Sequence, residues 1–148
     1  PHGALYNAAV GNEPLARAIA EAVASVDDNL LLVTLAGSEA PLMARIGRET
    51  GLRVVFEAFP DRAYTPEGRL ASRRLPGTVI QDPDEAARRA LAMARDGRVT
   101  AIDGTDLALE IDTLCVHGDS PSALALVSEI RRTLLDADLV LKPMGAAD

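Results

Sequence analysis

Short apolar runs that never alternate with polar residues constrain this chain more than any other feature. They occupy residues 30–35, 53–56, 99–102 and 113–116. A strand with one wet face alternates apolar and polar side chains. A continuously apolar strand is expected where both faces are covered, as in a parallel sheet flanked by helices. Helical patterns separate the runs, so the chain reads as successive βα units of an α/β fold.

Four helices are expected. The first spans residues 12–27, with Leu15, Ala18, Ile19, Ala22, Val23 and Val26 at helical spacing. Ser38 is placed to cap a second, with Leu42 and Ile46 inward and Gly51 just past its end. The third opens at Asp82-Pro83 with Glu85 positioned for a capping box, and stops at Gly97. The fourth opens at Ser120-Pro121 and carries Ala123, Val127, Ile130 and Leu134 on one face. Residues 1–7 read as a strand end and the loop after it. Residues 57–81 form a segment about twice the usual limit for an ordered loop, which implies a functional role or a small hairpin.

The chain has 148 residues and is 48% hydrophobic, in the range of one globular domain, with two Phe, two Tyr and no Trp. Its core is therefore expected to be Leu, Val, Ile and Ala. A net charge of −7 argues against nucleic acid or an anionic membrane as a partner. No apolar run approaches the roughly 20 residues of a membrane span. The single cysteine, Cys115, excludes an internal disulfide, fits a reducing cytoplasm, and reads as a buried small hydrophobe.

Ligands of parallel α/β folds gather on the loops after the strands, and the polar clusters of this chain fall on those loops. His2 and Asn7 precede the first helix, and Gly37-Ser38 follows the first apolar run. Asp61, Arg62 and Tyr64 follow the second, and His117-Gly118-Asp119 follows the last. The last group reads two ways: a turn with a helix cap, or a general acid/base or metal ligand, His117, oriented by Asp119. His2, His117 and Asp119 would be the metal candidates, although one His and one Asp do not complete a site. Arg62, Arg69, Arg73 and Arg74 lie within thirteen residues of an otherwise acidic chain. They read either as solvated surface or as a clamp for carboxylate or phosphate. Ser38 offers a weak anion site through backbone N–H groups, and no phosphate-binding G-x-x-x-x-G-K-[ST] motif is present.

Several segments, in order, resemble the LamB/YcsF family, whose members are described as the A-type component of an ATP-dependent 5-oxoprolinase. They are Pro-His-Gly-Ala-Leu-Tyr-Asn at 1–7, Leu-Ala-Gly-Ser at 35–38 and Phe-Pro-Asp-Arg-Ala-Tyr-Thr-Pro-Glu-Gly-Arg-Leu-Ala-Ser-Arg-Arg at 59–74. Pro-Gly-Thr-Val-Ile-Gln-Asp-Pro at 76–83, Thr-Ala-Ile-Asp-Gly at 100–104 and Asp-Thr-Leu-Cys-Val-His-Gly-Asp at 112–119 complete the set. The resemblance implies a distorted (β/α) barrel of the glycoside hydrolase/deacetylase type. It also implies that residues 1–148 are a single, incomplete domain lacking the family's N-terminal portion, since the units read here are fewer than the roughly eight of a closed barrel.

The implied reaction is hydrolysis of 5-oxoproline, a cyclic amide, to L-glutamate coupled to ATP hydrolysis, with Mg²⁺ accompanying ATP and two further subunits of B and C type as partners. A homo-oligomer is compatible with this. The residues expected to serve it are His2, Asp61, His117 and Asp119 in proton transfer, and Asn7, Ser38, Arg62, Tyr64, Arg73 and Arg74 toward substrate or phosphate. Two other readings stay open: a metal-dependent, deacetylase-like hydrolase of N-acyl or carbohydrate substrates, and a non-catalytic substrate-binding subunit.

Overall fold

In the computed structural model, residues 3–144 are described. The elements are α1 (Gly3–Ala9), α2 (Glu13–Val26), β1 (Leu31–Leu35), α3 (Ala40–Thr50), β2 (Arg53–Ala58), α4 (Pro83–Asp96), β3 (Arg98–Thr100), β4 (Asp106–Ala108), β5 (Thr113–Leu114) and α5 (Ala123–Asp136). Three strands form one parallel sheet in the order β1-β2-β5, with β2 central. Parallel strands alternating with helices are thus the observed architecture.

Register decides where the site lies. Leu35 pairs with Glu57 at the end of β1, and Glu57 and Ala58 pair with Thr113 and Leu114. The C-terminal ends of all three strands therefore share one edge. The segments that leave them, beginning at Ala36, Phe59 and Cys115, emerge side by side. The Cys115 N–H donates to the Ala58 carbonyl at 2.9 Å and carries the pairing one step past β5.

Local chemistry explains most boundaries. Asn12 accepts a hydrogen bond from the Leu15 N–H at the start of α2, and Asp82 does the same for Glu85 at the start of α4. Gly51 and Gly97 end α3 and α4 in the left-handed region, which glycine enters without a Cβ penalty. Gly47 lies inside α3 for another reason. A Cβ there would sit 2.3 Å from Val54 Cγ2, so its absence lets the helix lie directly on β2. Ile46 beside it is fully buried, and its truncation to Ala would cost about 2–5 kcal/mol.

Several expectations need correction. Residues 3–9 are helical rather than a strand end: the Ala, Leu and Tyr of this stretch sustain a turn of helix, and Tyr6 anchors it by burial. Ser38 does not cap α3; Glu39 holds the cap position and makes no side-chain cap bond. The run at 99–102 does not join the parallel sheet. β3 pairs antiparallel with β4, only Val99 of β3 is buried, and Asp103 bonds Thr105 within the connecting turn. On α2 the buried positions are Ala16 and Ala20, while Ala18, Ala22 and Val26 are exposed. On α5 Leu126 joins Ile130 and Leu134 inside, and Val127 faces out.

The aromatic residues also depart from expectation. All four are buried, and they sit in α1, in β2 and in the segment that follows β2. The core is accordingly aliphatic through the longer helices and aromatic toward the strand ends. Two apolar clusters result, one around α2, α3 and β2 and one between α4 and α5, with Leu114 packed against both.

Candidate functional site: a buried aspartate and an imidazole at one sheet edge

Residues 59–82, leaving β2, fold back tightly instead of looping into solvent. Arg62 N–H bonds the Phe59 carbonyl, Ile80 N–H the Asp61 carbonyl, and Ala63 and Thr78 join backbone to backbone. Isolated antiparallel bridges link Arg62 with Val79 and Tyr64 with Leu70. The segment is thus a small, irregular hairpin whose first residues, Phe59 to Tyr64, are all buried.

That burial places Asp61 in the interior with its side chain only 4% exposed. Its Oδ2 accepts two bonds from His117: the backbone N–H at 3.0 Å and ring Nδ1 at 2.8 Å. A carboxylate at Nδ1 assigns the proton of the neutral imidazole to that nitrogen and leaves Nε2 as the basic atom. The ring is held on its face as well, stacked on Phe59 with centroids 5.2 Å apart and planes inclined by 24°. Phe59 in turn meets Tyr6 edge-on at 6.4 Å. Segments distant in sequence therefore combine to fix one imidazole.

His117 opens onto a groove of about 1080 Å³. Asn7, Glu57, Arg69, Arg73 and Cys115 also line it. Burial, then the nearby Glu57 charge, pushes the Cys115 thiol up to about 11, so it stays protonated at neutral pH. The Tyr6 hydroxyl is raised by the same two causes in the same order.

The expected site residues separate under this geometry. Asp61 and His117 come together. Asp119 does not orient His117: it lies in an exposed turn and accepts a bond from Arg73 at 2.8 Å, which holds its carboxyl below the usual range. Arg73 lines the groove, whereas Arg74 is exposed and does not. Arg62 also lines the groove but is not a freely presented clamp. It is 6% exposed and donates through Nη2 to the Ala71 carbonyl at 2.7 Å, and burial lowers its affinity for the proton. Tyr64 is fully buried, and its hydroxyl accepts the Phe59 N–H at 3.0 Å, a structural tie with no access to substrate. Ser38 borders a separate, small apolar cavity. Asn7 lies on the groove but donates to the Gly3 carbonyl of its own helix. His2 lies outside the described residues.

Glu57 and Phe59 escaped the sequence reading. Glu57 is a lone carboxylate at the end of an apolar strand, which is the signal that marks it. Phe59 carries no comparable sign, because its stacking on His117 comes from long-range packing. Among the described residues no group of three or more His, Cys, Asp or Glu side chains is placed to share a metal ion.

Comparison with known proteins gives this geometry a context. The model of the LamB/YcsF family matches residues 1–148. The chain is 49% identical over 145 residues to the A-type subunit of 5-oxoprolinase from Pyrococcus furiosus, covering 98% of this chain and 56% of that protein. It is 50% identical over 146 residues to a protein of the same name from Syntrophobacter fumaroxidans, covering 99% and 56%. The crystal structure of a lactam utilization protein from Thermus thermophilus superposes with a TM-score of 0.83 at 46% identity, covering 96% of this chain and 55% of that one. The chain thus spans about half the length of the curated relatives it matches, and the fold is the barrel-type α/β class that the family resemblance implies. On this whole-length match, the chain belongs to the LamB/YcsF family.

Proposed function

We propose that this chain forms part of a 5-oxoprolinase subunit that opens 5-oxoproline to L-glutamate, working with two further subunits of B and C type. The observation that carries this reading is the Asp61–His117 pair on an open groove. Ring opening of a lactam needs a base for the attacking water and an acid for the departing nitrogen. An imidazole held by a buried carboxylate can serve as both in turn. Asp61 fixes the ring through Nδ1, and His117 takes the water proton at Nε2 and returns it to the ring nitrogen of the substrate. Arg69 and Arg73 line the groove wall, and in this reading they meet a substrate carboxylate or a phosphate.

Opening an unstrained lactam is unfavourable in water, and ATP with its Mg²⁺ would supply the driving force. The single free cysteine suits a reducing cytoplasm, and no helix among the described residues is long and apolar enough to cross a membrane.

The test is turnover of 5-oxoproline and ATP by the chain assembled with its two partner subunits. His117→Ala is expected to lower kcat by roughly 10²–10⁴-fold, the usual worth of a general acid/base. Wild-type turnover by that variant would overturn the assignment.

A further inference from the structure

Arg89 projects from α4 toward the segment that carries Asp61. Its Nε donates to the Pro60 carbonyl at 3.0 Å and its Nη2 to the Arg62 carbonyl at 2.7 Å. These carbonyls belong to the residues immediately before and after Asp61. One planar guanidinium therefore fixes the backbone on both sides of the carboxylate that orients His117. Arg89 is only partly buried as a residue, yet burial is the main influence on its guanidinium, followed by the charge of Glu85 on the preceding turn.

Alternative anchors do not duplicate this grip. The Asp61 carbonyl is taken by the Ile80 N–H, and the Phe59 N–H by Tyr64. Neither holds the carbonyls of Pro60 and Arg62. Asp61 Oδ1 has no hydrogen-bond partner, so the carboxylate is not locked by its own second oxygen. Its orientation then depends on how firmly the backbone beneath it is held. Arg suits that task better than Lys, because a rigid fork can span two carbonyls and an ammonium is a single point.

We propose that Arg89 is a positioning residue: by clamping Pro60 and Arg62 it aims Asp61 at His117 Nδ1 and so fixes which imidazole nitrogen is basic. This rests on the reading of His117 as the general base. Both guanidinium bonds of Arg89 go to backbone carbonyls, so its effect passes through geometry and not through substrate.

Two readouts test it. In the assembled enzyme, Arg89→Met is expected to lower kcat by at least about tenfold with KM within roughly twofold, since small misplacements of a reacting group are costly in rate. In the isolated chain, the ring ¹⁵N shifts of His117 are expected to move from a single Nδ1-protonated tautomer to a mixture. Arg89→Lys, able to reach one carbonyl, should fall between wild type and Met in both measurements. It also carries the test if the Met variant does not fold. An unchanged tautomer in either folded variant, or a change in KM alone, would overturn the proposal. The tautomer is read without substrate, so a failure of the 5-oxoprolinase reading leaves this result interpretable.

Discussion

Two acid–base pairs stand at the same edge of the sheet, each with a 2.8 Å contact, and they differ in almost everything else. Asp61–His117 is buried on the acid side, whereas the side chains of Arg73 and Asp119 are 45% and 64% exposed. Asp119 lies two residues from His117 and Asp61 lies 56 away, yet the distant carboxylate takes the imidazole. Asp61 can accept the ring and the backbone N–H of His117 together because β2 and β5 run in register into that point. Asp119, beyond the turn glycine, faces water and pairs with what reaches it there. The contrast teaches that orienting an imidazole is a matter of long-range strand pairing and burial, and adjacency in sequence is a poor guide to it.

The difference in burial sets the order of expected effects. Asp61→Ala should do the most damage. It leaves two His117 N–H groups without their acceptor, and breaking such a buried arrangement costs about 2–4 kcal/mol, measurable by urea unfolding. A loss under about 0.5 kcal/mol would erase the distinction between the pairs. Arg73→Ala should change stability by no more than about 0.5 kcal/mol, as exposed ion pairs generally do, while raising KM for an anionic substrate. Cys115 offers the mildest probe. Its thiol is raised to about 11 in the folded chain, above the ordinary value of 9.0. The protonated form is therefore favoured by folding, and stability should fall as pH rises from about 9 toward 11, with slow alkylation at about pH 8. Rapid labelling of the folded chain at that pH would contradict that environment.

How much of this was legible in the sequence follows from the range of each interaction. The helix from Asp82-Pro83 to Gly97 is marked by local caps, and the structure ends α4 at those signals. The parallel runs at 30–35 and 53–56 likewise became β1 and β2. The β3–β4 hairpin was hidden because a three-residue strand carries too short a pattern to separate one-sided from two-sided burial. Val127 and Leu126 are adjacent on α5, and only packing against α4 decides which turns inward. At the site, sequence picked out both Asp61 and His117 but joined His117 to Asp119, its neighbour. It also read Arg62 and Tyr64 as ligand contacts. Tyr64 is buried and tied to the Phe59 N–H, whereas Arg62, although buried and bonded to the Ala71 carbonyl, does line the groove.

Turnover of 5-oxoproline by the assembled enzyme bearing either Asp61→Asn or Asp119→Asn tests the central claim most directly. Asn at 61 keeps the shape and removes the charge that holds the imidazole, and kcat is expected to fall by about 100-fold or more. Asn at 119 should leave kcat within about threefold, because that carboxylate holds only an exposed arginine. A larger loss of kcat at Asp119 than at Asp61 would contradict the account.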